Sequence, residues 1–271
     1  MYHSGASEQL LKLKNVMMSE LSPRLDTSDA SCDSAEERMD LFEASSYLYD
    51  ALISPFESEL RTNQTLQIYC HDVRLMSLPW SALTTTGATM PLFEKYKLSI
   101  IPPMCNITPC HAADKNTKIV HVDTLETKDE ITGSYTVSNK MELLDIFGKE
   151  ESIWISLDMK SENELQLADE KICVKTMFET CDFHTVLLVV LDSPHSAQIA
   201  HALVNAGVKC VIYPLWKLPK TAIRELVGNI EGNLETMDPI GAMQDAQLKQ
   251  KNGKQFKDSS FWSAWISIVS Y

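Results

Sequence analysis

Two apolar segments in the second half of the chain restrict the possible folds most strongly. The segments HTVLLVVLD (184–192) and VKCVIYPLW (208–216) carry large apolar residues at successive positions, not only at alternate ones. A strand that is apolar on both sides has to be buried on both faces, which is typical of a parallel sheet covered by helices. The intervening SAQIAHALVNAG has helical spacing, with Ser196 as a potential cap and Gly207 placed to end the helix. The pair therefore predicts a β–α–β unit.

Other segments extend this alternation of strands and helices along the chain. Further strands are expected within 66–83, 96–103, 118–124 and 152–159, and at the closing segment 262–270; helices are expected around 219–235 and 239–251. A total of 271 residues is enough for a large buried core. The sequence therefore predicts an α/β sandwich with a mostly parallel sheet and helices on both faces.

The amino-terminal part has a different pattern. Residues 1–25 are expected to contain an amphipathic helix, because Leu10, Leu13 and Leu21 recur at helical spacing. Residues 26–40 are rich in Asp, Ser and Ala and are expected to form a polar linker. A second helix follows up to Pro55, and residues 41–271 are expected to form one domain.

The net charge argues against several classes of partner. A formal charge of −13, from 37 acidic and 24 basic residues, opposes binding to nucleic acids and to anionic lipids. No stretch of the sequence is apolar enough to predict a membrane span, and the amino terminus lacks the pattern of a secretory signal, so a cytoplasmic protein is expected. The seven cysteines include no CxxC pair and are expected to be reduced.

Several segments, in order, resemble the CHAT domain, a caspase-like peptidase module usually found behind tetratricopeptide repeats. The resemblance spans about 45–270 and is closest to the animal type that tetratricopeptide repeat protein 28 exemplifies. Its motifs are matched by Leu75, Leu78, Pro79, Trp80 and Leu83, then by Leu203, Ala206, Gly207, Val211, Leu215 and Trp216, and finally by Trp262, Ala264 and Trp265; Pro214 replaces the usual serine of the second motif. The resemblance implies a caspase-like three-layer sandwich, in which Trp80, Trp216, Trp262 and Trp265 are packing residues.

The same resemblance implies that the peptidase chemistry is lost. The family's nucleophilic cysteine lies in the turn after a buried strand, and Pro194 of LLVVLDSPHSA occupies that position. The family's partner histidine closes another strand, and Asp158 of IWISLDM occupies that position, with Met159 in place of the following glycine. Proline supplies neither a nucleophile nor an amide hydrogen. We therefore expect a catalytically inactive pseudopeptidase that serves as an interaction or scaffolding module.

An alternative is a hydrolase of altered mechanism. Ser193 or Ser196 would act as the nucleophile, with His195 or Asp158 as the base. Neighbours within one turn rarely orient such a set without a third group, which weakens this alternative. A further alternative is that the vestigial cleft binds a peptide without cleaving it.

Metal and cofactor sites are not predicted. Cys105, Cys110 and His111 have the residue types of a zinc site but not its usual spacing. The adjacent Cys70, His71 and Asp72 would point to alternate faces of an extended segment. Cys181 and His184 precede their strand, whereas ligands of open parallel sheets bind beyond the carboxyl ends of the strands.

The expected partner is another protein. By resemblance, this partner is a tetratricopeptide-repeat array, and the amphipathic helix within residues 1–25 is the candidate docking element. Packing of this helix on its own domain is an equal alternative. No nucleic-acid or membrane partner is expected.

Overall fold

The structure is a computed structural model that describes residues 35–70, 73–85, 90–102, 111–113, 117–121, 134–136, 152–157, 159–161, 164–166, 171–173, 178–179, 182–194 and 197–270. Its helices are α1 (Ala35–Leu52), α2 (Val73–Met76), α3 (Leu92–Lys95), α4 (Ala197–Asn205), α5 (Lys220–Glu231), α6 (Pro239–Asn252) and α7 (Ser259–Trp262), with short 3-10 turns at Ser54–Phe56 and Trp80–Ala82. Its strands are β1 (Thr65–Tyr69), β2 (Lys97–Ile101), β3 (Lys118–His121), β4 (Ser134–Thr136), β5 (Ser152–Leu157), β6 (Met159–Ser161), β7 (Glu164–Gln166), β8 (Lys171–Cys173), β9 (Val186–Leu191), β10 (Cys210–Pro214) and β11 (Trp265–Val269).

One large sheet organises the described part of the chain. Its strands lie in the order β1-β2-β11-β10-β9-β5-β3-β4, and β6, β7 and β8 form a separate antiparallel sheet. In the large sheet only β10 and β11 pair antiparallel, whereas all other neighbours are parallel. The prediction of a mostly parallel sheet is therefore confirmed. The single reversal divides the sheet into two parallel blocks that run in opposite directions.

The central strands are covered on both faces. Every residue of β9, β10 and β11 is buried, so the sheet lies between two layers of packed side chains. Helix α4 connects β9 to the adjacent parallel strand β10, which is the predicted β–α–β unit. Gly207 follows α4 with a φ of 117°, a backbone conformation that favours glycine, and this confirms the expected end of the helix.

The first described helix begins earlier than predicted. Helix α1 begins at Ala35, so residues 35–40 of the segment that was expected to be a linker are helical. The reason is that residues 35–39, AEERM, are good helix formers, although they offer few large apolar groups. The predicted helix within 1–25 lies outside the described residues.

Strands β1 and β2 join the rest of the sheet through β11 and α6, a boundary that we name the β2–β11 seam. In the register of this ladder, Ile100 lies opposite Ile268. Side-chain contacts also cross the seam. Two are ion pairs: Lys97 Nζ lies 3.1 Å from Asp238 Oδ2, and Lys251 pairs with Glu94. Two are hydrogen bonds: Gln244 Nε2 donates to Phe93 O at 2.5 Å, and Gln247 Nε2 donates to Ser81 Oγ at 3.1 Å. Asp238 also caps α6, since its side chain accepts from Gly241 N.

Candidate functional site

The two positions expected to have lost their catalytic residues follow neighbouring strands. Strand β5 pairs with β9 in parallel, and Leu157 lies opposite Leu191 after a register irregularity. Since each is the last residue of its strand, positions 158 and 192 begin the connections that leave the sheet at the same edge. This is where parallel α/β sheets carry their functional groups. Asp158 itself lies outside the described residues.

The turn after β9 is described as far as its third residue. Asp192, Ser193 and Pro194 are all partly buried. Pro194 therefore occupies the turn itself, at the carboxyl edge of the central strand, and brings no thiol, hydroxyl or amide hydrogen to it. His195 and Ser196, which the alternative serine mechanism would use, lie outside the described residues.

The neighbouring loop after β10 is held by hydrogen bonds to helix α7 and to the residues between α7 and β11. Leu215 N donates to Ala264 O at 2.7 Å, and the indole Nε1 of Trp216 donates to Ser260 O at 2.9 Å. Trp216 is buried, as are Trp80, Trp262 and Trp265, which confirms their expected packing role. These bonds tie the loop after β10 to residues 260–264.

A partly buried histidine lies on the helix that follows the turn. His201 is on α4, and burial lowers its pKa below the ordinary value. Burial therefore favours the neutral form of the imidazole. His201 was not predictable from the sequence, because one histidine on a helical segment has no accompanying pattern.

The other candidate residues do not form a site among the described residues. Cys70 is buried and His111 is exposed; the other candidates, Cys105, Cys110, His71, Asp72 and Cys181, lie outside the described residues. His184 packs against Gly207, because a Cβ atom at position 207 would lie 2.5 Å from the His184 ring. Within the described ranges, no three His, Cys, Asp or Glu side chains are grouped as metal ligands would be. None of the helices described is long and apolar enough for a membrane span.

A family model matches the part of the chain that carries this sheet edge. Residues 149–270 match the CHAT domain. The match covers just under half of the chain and contains β5, the small sheet, β9, β10 and β11. A search of curated proteins finds no match.

The CHAT match includes both positions that the resemblance predicts to be altered, and two of the three motifs that carry the resemblance. Asp158 and Pro194 fall inside it, and so do the motif that ends at Trp216 and the closing motif around Trp265. The motif around Trp80 precedes the matched residues. It nevertheless belongs to the same core, because Trp80 is buried and the turn Trp80–Ala82 packs near β11.

Proposed function

We propose that this chain contains a catalytically inactive CHAT domain that acts as a protein-interaction module. The observation that carries the proposal is Pro194, which lies in the turn at the carboxyl end of β9. Cysteine peptidase chemistry needs a thiolate, a base and backbone donors for the oxyanion. Proline at this point removes the thiol and one amide donor together.

The frame around the turn supports a role in binding rather than loss of all function. Every residue of the strand before the turn is buried, and Trp216 anchors the adjacent loop. The domain thus retains a packed scaffold around a chemically altered edge. Such a scaffold is suited to presenting surfaces to another protein, although a fold alone does not specify which one.

The first experiment separates the inactive module from a hydrolase of altered mechanism. The purified chain is treated with a fluorophosphonate probe, beside the variants Ser193→Ala and Ser196→Ala and a heat-denatured sample. We expect no labelling above the denatured sample. Labelling that disappears in one of the two variants would establish the serine mechanism and overturn the proposal.

The proposed partner of the domain is another protein. By its resemblance to CHAT domains that follow tetratricopeptide repeats, we propose a tetratricopeptide-repeat array in the cytoplasm as the partner and residues 1–25 as the docking segment. Cys173 is an exposed free thiol, which is consistent with a reducing compartment.

A matched pair of variants tests the docking segment. Leu10→Ser with Leu13→Ser changes the apolar stripe of the expected helix, and Lys12→Ser with Lys14→Ser changes neighbouring polar positions by the same substitution. Tetratricopeptide-repeat proteins that co-purify with the tagged chain are produced separately and measured by calorimetry. We expect the leucine pair to weaken binding at least tenfold and the lysine pair to leave it nearly unchanged. Equal affinities for all three chains would exclude this docking role.

A further inference from the structure

A small cavity lies at the β2–β11 seam, between these two strands, α6 and the turn Trp80–Ala82. Most of its lining is apolar, but four lining residues carry polar side-chain atoms that matter here: Ser81, Ser99, Ser267 and Trp265. Trp80 also lines the cavity, and its indole Nε1 donates to Leu75 O at 2.9 Å. The space open to the centre of a water molecule is about 10 Å³. This is about the room that one water molecule requires.

Two of the four polar groups already have partners. Ser267 Oγ donates to Leu98 O at 2.7 Å, and Ser81 Oγ accepts from Gln247 Nε2 at 3.1 Å. The first bond is informative, because a side chain here reaches a main-chain carbonyl of the neighbouring strand. The backbone pairing between β2 and β11 is at Ile100 and Ile268, just beyond this point. The cavity therefore lies next to the end of the backbone pairing between β2 and β11.

The other two polar groups, Ser99 Oγ and Trp265 Nε1, are buried and have no hydrogen-bond partner among the described residues. Both residues are about 1% exposed. Ser99 precedes Ile100 by one position and Trp265 precedes Ile268 by three, so in the parallel register both side chains lie on the same face of the sheet. Leaving such groups unpaired is costly in a protein interior.

We infer that this cavity binds one internal water molecule that joins β2 to β11. The indole Nε1 can only donate, so the water oxygen accepts from Trp265. The Ser99 hydroxyl can donate to the water or accept from it, and the oxygens of Ser81 and Ser267 have further acceptor capacity. The water thus completes the polar contacts of a seam that the backbone ladder leaves open.

The test uses the indole N–H resonance of Trp265 in the full chain, assigned with the variant Trp265→Phe. A rotating-frame Overhauser spectrum should show a cross peak between this proton and a long-lived water. Trp216 is the internal control, because it is also buried but donates to Ser260 O. Its indole proton should show no such cross peak.

Two variants of Ser99 separate a bound water from exchange through the hydroxyl. Ser99→Ala removes the hydroxyl and leaves the space, so the cross peak should remain; Ser99→Val fills the space, so the cross peak should vanish. Absence of the cross peak in the wild type, its loss in Ser99→Ala or its persistence in a folded Ser99→Val chain would each overturn the inference. If Ser99→Val does not fold, the wild type and Ser99→Ala decide.

Discussion

Gly207 and Gly228 lie in positions that differ in how well they would accept a side chain. Gly207 ends α4 at a φ of 117°, and an added Cβ would lie 2.5 Å from Nδ1 of His184. Gly228 lies in α5 on an exposed position, and an added Cβ would meet nothing within 4 Å. The same substitution should therefore change stability in opposite directions.

We predict that Gly228→Ala raises the free energy of unfolding by about 0.5–1 kcal/mol, because alanine favours the helix. Gly207→Ala should lower it by about 1–3 kcal/mol, because the backbone conformation is strained for alanine and the His184 ring has to move. Urea denaturation of the two variants and the wild type measures both changes. A destabilised Gly228→Ala chain would show that α5 does not have the open surface described.

The residues of the candidate site were predictable to different degrees. The motif resemblance assigns the altered catalytic positions to Pro194 and Asp158, which stays a prediction, and the two-sided apolar strand located the turn after β9. The proximity of the two strand ends depends on Leu157 lying opposite Leu191, which follows from the strand order and not from any local pattern. The unpartnered indole of Trp265 was likewise not predictable, because burial of an aromatic residue does not reveal which polar atoms face its nitrogen.

Among the elements, α1 and α3 are joined by a cluster of Tyr49, Glu57 and Lys95, which we name the α1–α3 clasp. Tyr49 donates to Glu57 Oε1 at 2.6 Å, and Lys95 Nζ lies 2.9 Å from the same oxygen and 3.2 Å from the tyrosine hydroxyl. The ammonium group also lies 5.3 Å from the centre of the Tyr49 ring. The hydrogen bond from Tyr49 and then that from Lys95 lower the pKa of Glu57. Burial, followed by the hydrogen bond to Glu57, raises the pKa of Tyr49 to about 12.

We predict that the contribution of the α1–α3 clasp to the free energy of unfolding is lost in acid. Because the pKa of Glu57 is lower in the folded chain than in the unfolded one, its stabilisation is present above the unfolded value and is lost as the pH falls through the folded value. Glu57→Gln should therefore be less stable than the wild type at neutral pH, and the difference should close in acid. Since 38% of the Glu57 side chain is exposed, solvent screening limits the difference to about 1 kcal/mol or less.

Urea denaturation at about pH 7 and at about pH 3 measures this change across the range in which carboxylates titrate. Glu59→Gln is the matched control, because Glu59 is an exposed carboxylate close in sequence to Glu57. A stability difference between wild type and Glu57→Gln that is the same at both pH values would show that the carboxylate charge does not act through the clasp.

The elements that sequence patterns predicted best are those with the strongest apolar signal. Strands β9 and β10 and helix α4 lie where expected, because burial on both faces leaves few alternatives. The small sheet of β6, β7 and β8 was missed, since its strands have three residues each and lie in the polar segment 159–173. The early start of α1 was missed because helix propensity without large apolar residues leaves only a weak signal.

On the scale of the whole molecule, the structural unit is larger than the matched CHAT region. Strand β11 lies between β10, inside the match, and β2, outside it. All of β11 is buried, and α6 bonds to Ser81 and Phe93 across the seam. Residues 149–270 alone would therefore expose one edge of β11 and leave polar groups of α6 without their partners.

We predict that a fragment of residues 149–270 does not unfold cooperatively, whereas a chain beginning at Ala35 does. Uncovering side chains such as Trp265 and Ile268 costs up to about 1.5–3 kcal/mol each, which is large against the total stability of about 5–15 kcal/mol for a typical domain. Near-ultraviolet circular dichroism and urea denaturation compare the two chains, and residues 35–102 added as a separate fragment should restore part of the signal if the seam is the cause. A cooperative transition of 149–270 on its own would instead show that β2 and α3 pack on a domain that is already complete.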